Sequence, residues 1–271
     1  MASRVATLRR PRLVVAAYAT FAVVLAPLAA VIWVSFFEDK IIGFPPSGYT
    51  LHWYANAWRV DRFLQGFLLS LEVGVVATSI SLVIGVPAAL ALARSEFAGR
   101  EAVHALLMSP MVVPGIVSGA AIYMFFIEVE VASELPLAGT LFGLVLAHTL
   151  IALPWIVRLV TASLVGVDRS LAEAATSLGA TPRVTFFRIT LPVIRPGIVA
   201  GAMFSFVVSF GDLEKSLFLI GPGRTTLPIE MVNYLEWNID PTIAAVATVQ
   251  TLMIGAALAL SDRFFKLTRV F

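Results

Sequence analysis

The sequence predicts an all-α integral membrane protein with six transmembrane helices, and three observations predict it. Of 271 residues, 59% are hydrophobic and only 13% are charged, with a mean hydropathy of +0.92. A water-soluble domain carries about a quarter charged residues, so this chain lacks the polar surface to cover itself in water. Six stretches are apolar over the roughly 20 residues that a helix needs to cross hydrocarbon. Lysine and arginine gather on one side of those stretches.

The spans are expected at 13–37, 67–93, 102–127, 139–161, 193–213 and 242–261. The first and last contain no charge, and the second contains only Glu72. The third carries His104 alone, the fourth His148 and Arg158, and the fifth Arg195 at one edge and Asp212 at the other. Arg4, Arg9, Arg10 and Arg12 precede the first span in the manner of a secretory signal. Its apolar run is too long for a signal h-region, and an uncleaved anchor is expected. Prolines 27, 87, 110, 114 and 154 and glycines 74, 85, 115 and 119 fall inside spans, where they bend helices or let them pack closely.

Orientation follows from the basic residues near span ends. The N-terminus, the 94–101 loop, the 158–195 segment and the tail after Ser261 hold fourteen of the 19 lysines and arginines. Lys40, Arg59, Arg62, Lys215 and Arg224 are the five on the opposite side. Both termini are therefore expected in the cytoplasm. Trp53, Tyr54 and Trp58 are expected to anchor the outer interface, where aromatic rings concentrate.

Composition also excludes several functions. There is no cysteine, which removes disulfides, thiolate catalysis and cysteine-based metal sites. No basic face interleaved with aromatics supports nucleic-acid binding. His52, His104 and His148 are isolated and form no metal constellation, and no catalytic triad or paired carboxylates support an enzyme. No Gly-x-x-x-x-Gly-Lys-[Ser/Thr] phosphate loop is present. Gly221-Pro222-Gly223-Arg224-Thr225-Thr226 comes nearest and lacks the lysine. Cofactors of its own are expected to be none.

The segment 166–192, between spans four and five, is the most informative. Asp168 suits a helix N-cap, and Gly179 suits the left-handed residue that ends a helix. Between them Leu171, Ala174, Ala175 and Leu178 fall at i, i+3, i+4 and i+7, one small apolar face. Thr181-Pro182 opens a second helix, with a capping hydroxyl and proline at the first helical position. Pro192 is expected to close it. So short a helix is marginal alone in water, so its face needs a surface, either this chain's own spans or a cytoplasmic partner.

Glu173-Ala174-Ala175, three residues, Gly179, then Ile189-x-Leu191-Pro192 resembles the EAA loop of binding-protein-dependent ABC importer permeases. The match in spacing runs throughout, in a cytoplasmic loop before the penultimate span. The resemblance covers 66–263. The stretches 205–212, 221–228 and Asp240-Pro241-Thr242-Ile243-Ala244 are similar to the spermidine/putrescine branch, wording shared with phosphonate and opine importers.

The resemblance implies that the loop is a coupling helix seated in a groove of a cytoplasmic ATPase. Glu173 would contact the ATPase, Ala174 and Ala175 would allow close approach, and Gly179 would make the corner. Leu171, Leu178 and Ala180 would complete that surface. It further implies a bacterial inner-membrane complex with a second, non-identical permease and two copies of an ATPase that binds the ATP. Cargo, a polyamine or related cationic amino compound, would arrive on an extracytoplasmic solute-binding protein.

Glu72, Asp212 and Glu214 are candidates for the substrate pathway, since ionisable groups at membrane depth are costly and functional by default. Lys215 is able to pair with either neighbouring acid. His104 and His148 are expected to be satisfied packing residues. The alternative to an ABC permease is a secondary transporter driven by an ion gradient, which would place acids near the bilayer midplane in inverted repeats. Here the acids lie at span ends, and no internal repeat is evident.

Overall fold

The computed structural model describes residues 2–165 and 170–265, and among them there is no strand, only isolated bridges at Phe37–Tyr49 and Gly221–Arg224. In chain order the helices are α1 (Ala2–Val34), α2 (His52–Arg59), α3 (Asp61–Arg94), α4 (Arg100–Met108) and, after a 3₁₀ turn at Ser109–Met111, α5 (Gly115–Ser133). Then come α6 (Leu141–Val165), α7 (Ser170–Ser177), α8 (Pro182–Thr185), a π turn at Phe186–Thr190, and α9 (Leu191–Phe210). The short α10 (Ser216–Leu219), α11 (Leu227–Trp237) and α12 (Thr242–Phe265) complete the order. Six helical segments among the described residues are long and apolar enough to cross a membrane: Leu13–Val34, Asp61–Arg94, Gly115–Ser133, Leu141–Leu164, Pro182–Phe210 and Thr242–Arg263.

Two of the sequence expectations need correction. The third apolar stretch is not one rod: α4 ends at Met108, and a new helix starts at Gly115 after Pro114. Pro110 and Pro114 remove two backbone donors, and Pro114 disfavours helical geometry at Val113, so the chain breaks there. Pro192 does not close a helix. It lies in the first turn of α9, and Leu191 N–H donates to the Phe186 carbonyl, five residues back. The wider π turn carries the backbone past the proline, so α8 and α9 are continuous.

The chain divides into two compact units. In the unit made of Met1–Val60 and Asn233–Leu252, Trp53 is buried and its indole N–H donates to the Phe37 carbonyl at 2.6 Å. Tyr54 and Ser35 share a hydrogen bond of 2.6 Å. These two rings are thereby bonded within the unit, whereas Trp58 is exposed. Asn56 donates to Thr242 Oγ1 at 2.9 Å and fastens α2 to the start of α12. Tyr234 donates to Asp240 at 3.0 Å, and burial, the largest influence, pushes its phenol above the ordinary value.

The unit made of Asp61–Val232 and Met253–Phe271 is built on α3, α6 and α9. Most of α6 is buried, with Ala147, Ala152, Ile156 and Val160 fully enclosed, which makes it the central helix of this unit. One apolar cluster gathers around Val73, Phe126, Leu144 and Leu219, and a second around Ala89, Ile156, Val160 and Ile194. Small residues permit the approach. A Cβ on Gly85 would meet Ile156 Cγ2 at 2.8 Å, one on Gly201 would meet Ile156 Cα at 3.1 Å, and one on Gly197 would meet the Leu159 carbonyl at 2.7 Å. Ser81 donates to the Thr149 carbonyl at 3.2 Å and Ser205 to the Ala152 carbonyl at 2.7 Å. Both carbonyls lie on α6 ahead of Pro154, and each such bond contributes about 1 kcal/mol.

Candidate functional site

The corner between α7 and α8 is closed by backbone bonds. Ala180 N–H donates to the Ala175 carbonyl at 3.0 Å and Gly179 N–H to the Thr176 carbonyl at 2.9 Å, which is the Schellman pattern. Gly179 has φ +86°, and a Cβ there would meet nothing within 4 Å. Its requirement for glycine is thus conformational, not steric. Thr181 Oγ1 accepts from Val184 N–H at 3.4 Å and caps the second helix, with Pro182 following, as the sequence suggests.

The short apolar face is left open. Glu173 and Ala174 are exposed, Ala175 and Ala180 half-buried, and Leu178 is 89% exposed. Leu171 belongs to α7, but its side chain lies outside the described set, and Asp168 lies outside the described residues altogether. From Pro182 the backbone continues without interruption into the membrane-length stretch that ends at Phe210.

Near the other end of α9 lies a buried polar chain. His148 on α6 hydrogen-bonds Ser209 Oγ through Nδ1 at 2.8 Å and Ser216 Oγ through Nε2 at 3.1 Å. It is a satisfied interior histidine that ties α6, α9 and α10 together. Asp212 accepts from the backbone N–H groups of Lys215 and Ser216, each at 3.0 Å, and from Lys215 Nζ at 3.4 Å. Its side chain is only 8% exposed. Asp212 is therefore occupied as a helix cap and counter-ion, and of the two neighbouring acids it is the one that meets Lys215.

The other two acids differ. Glu214 is exposed and lies over Gly115, whose missing Cβ makes room for its carboxylate. Glu72 is exposed on α3. Glu130 accepts from the N–H groups of Leu137 and Ala138, so it closes the α5–α6 turn. Glu230, buried on α11, escaped the sequence reading; the hydroxyl residues Thr225 and Thr226 just ahead of it were the available signal.

The profile of the binding-protein-dependent transport system inner membrane component family matches residues 81–267. The chain belongs to this family. As an inner-membrane component of that family it is a multi-pass transport subunit and not an enzyme. ATP hydrolysis belongs to a partner ATPase, and a solute-binding protein serves the complex. An ion-gradient carrier is not favoured.

Among its relatives, the putrescine transport system permease protein PotI of Escherichia coli (strain K12) is 31% identical over 92% of this chain and 87% of its own. The probable molybdenum ABC transporter permease protein HVO_B0370 of Haloferax volcanii is 34% identical over 70% of this chain and 71% of its own. In fold, the permease resembles a chain of a bacterial ABC transporter that imports the acidic polysaccharide alginate. The TM-score is 0.67 over 94% of this chain and 97% of that one, at 15% identity.

Proposed function

We propose that this permease imports a polyamine or related cationic amino compound, driven through the α7–α8 elbow by the partner ATPase. The observation that supports the coupling role is the elbow's combination of an open apolar face and unbroken backbone continuity into α9. Glu173 supplies the polar contact, while Ala174, Ala175, Leu178, Gly179 and Ala180 form a low surface that a groove would cover, with Leu171 expected to complete it. ATP-driven closure of the ATPases around that surface swings α9 and rocks the bundle between inward- and outward-facing states.

The proposed assembly pairs this chain with a second, non-identical permease and two ATPase copies in a bacterial inner membrane, with both termini in the cytoplasm. A cationic cargo is supported by the length of the match to the putrescine relative and by Glu72 and Glu214, exposed carboxylates that attract ammonium groups. The molybdenum relative covers less of the chain. Asp212, already paired with Lys215, shapes the pathway by holding α10 rather than by meeting cargo.

The test is uptake by the assembled complex in proteoliposomes. Glu173→Arg is expected to insert and assemble its spans normally while abolishing putrescine import. Normal import by that variant would remove the elbow from coupling, and absence of putrescine import by the unaltered complex would remove the cargo assignment.

A further inference from the structure

Of four described acids of the α3–α6–α9 unit, two are held by protein donors and two lie exposed. Asp212 has Lys215 and two backbone donors, Glu130 has two backbone donors, and Glu214 and Glu72 are exposed. Glu230 is 7% exposed, and among the described residues no lysine or arginine pairs with it. One side-chain donor reaches it, the Thr225 hydroxyl, which donates to Oε1. A buried carboxylate with a single neutral donor is costly to keep, and such groups persist where a cation meets them.

A second observation lies at the same place. Thr226 is 1% exposed, and its Oγ1 has no hydrogen-bond partner. Thr226 stands one helical turn before Glu230, whose N–H donates to the Thr226 carbonyl at 3.0 Å, so the two side chains share a face of the α11 start. The scaffold beneath is rigid: Leu227 N–H donates to Ser70 Oγ on α3 at 2.9 Å, and Gly66 leaves room for Glu230 Cγ, which would lie 3.2 Å from a Cβ there. A carboxylate, a hydroxyl whose proton is already committed to it, and an unpartnered hydroxyl together offer three oxygen acceptors. A primary ammonium has three N–H donors and one positive charge.

We infer that Glu230, Thr225 and Thr226 form a receptor for a primary ammonium group of the cargo, at the start of α11. This rests on the cationic cargo proposed above and assigns that cargo's head group to particular atoms. Thr225 is half-buried, so the receptor's edge lies at the 221–226 turn, and Glu230 is its inner wall. Specificity follows from the chemistry. An amine with all its N–H groups replaced by methyls keeps the charge but loses the three donors, and a neutral cargo loses both.

The experiment measures putrescine import by the complete complex in proteoliposomes, with ATP turnover and thermal stability recorded on the same preparations. Glu230→Gln keeps the volume and an acceptor for Thr225, and it is expected to raise the KM for import about ten-fold at unchanged stability. Thr226→Val removes a hydroxyl that no protein group uses, so it is expected to leave stability unchanged while raising KM roughly three-fold. An unaltered KM in Glu230→Gln overturns the receptor alone and leaves the cargo reading standing. Loss of stability and ATP turnover together with import in both variants overturns it in favour of a structural role. Failure of the unaltered complex to import putrescine overturns the cargo reading and the ammonium assignment with it.

Discussion

The α3–α6–α9 bundle and the α7–α8 elbow both depend on glycine, and the reasons are opposite. At Gly197 the φ angle is unremarkable and space is absent: a Cβ would collide with Ser163 Oγ and press on the Leu159 carbonyl. At Gly179 space is unlimited and the backbone is the constraint, with φ +86° and no atom within 4 Å of a Cβ. The bundle is specified by what its residues touch, whereas the elbow is specified by how its chain turns. A region built the first way is stable by itself; one built the second way keeps its outer face free for something else.

Substitutions can break this contrast. The largest effect is expected from Gly197→Val, which forces a branched side chain between α9 and α6 at a cost of about 3 kcal/mol. The purified permease should unfold at distinctly lower temperature, and an unchanged melting temperature would show that the helices part easily. Next comes Gly179→Val, where a branched residue in the left-handed region costs about 1–2 kcal/mol and the chain relaxes by reshaping the corner. Import should be lost while the melting temperature barely moves. Gly179→Asn tolerates the same φ and should import nearly normally. If Asn and Val behave alike at Gly179, the requirement is not conformational.

Two smaller effects sharpen the contrast. Ser205→Ala removes the donor to the Ala152 carbonyl beside Pro154 and should lower stability by about 1 kcal/mol, measured by thermal unfolding in detergent. The smallest lies outside both regions. The Ser47 hydroxyl and N–H bonds hold the Asp39 carboxyl below its ordinary 3.8. A depressed folded value means that its contribution is present above about pH 4 and fades as pH falls through that value. The protection of the Ser47 amide, its exchange rate relative to that of an unstructured chain at the same pH, should therefore fall only in acid, with no change between pH 6 and 8.

Much of the architecture was legible because lipid imposes length and polarity on each span. The α7–α8 corner was legible too, since Gly179 and Thr181-Pro182 act through backbone geometry that the residue types alone dictate. Other features depend on partners distant in sequence. Pro192 reads as a stop, and only the π turn before it lets the helix pass. Trp53 and Trp58 look alike in sequence, yet one reaches the Phe37 carbonyl and the other is exposed. Asp212 and Glu214 stand two residues apart as equivalent acids. Which of them meets Lys215 is decided by the four-residue α10, too short to be anticipated from periodicity. Glu230 stands between two spans in sequence, and its burial shows only once α11 is laid on Gly66 and Ser70.

The π turn at Phe186–Thr190 also fixes an angle. Because the backbone from Pro182 to Phe210 is one wound rod, the direction in which Glu173 points is geared to the face that α9 turns toward α6. Each residue added to or removed from the rod turns one end against the other by about 100°. A single alanine inserted between Thr185 and Leu191 would therefore aim the corner at a different quarter of its surroundings while leaving the Leu191–Phe210 helix whole. The rod thus behaves as a keyed shaft, in which residue number, as much as residue type, is under constraint.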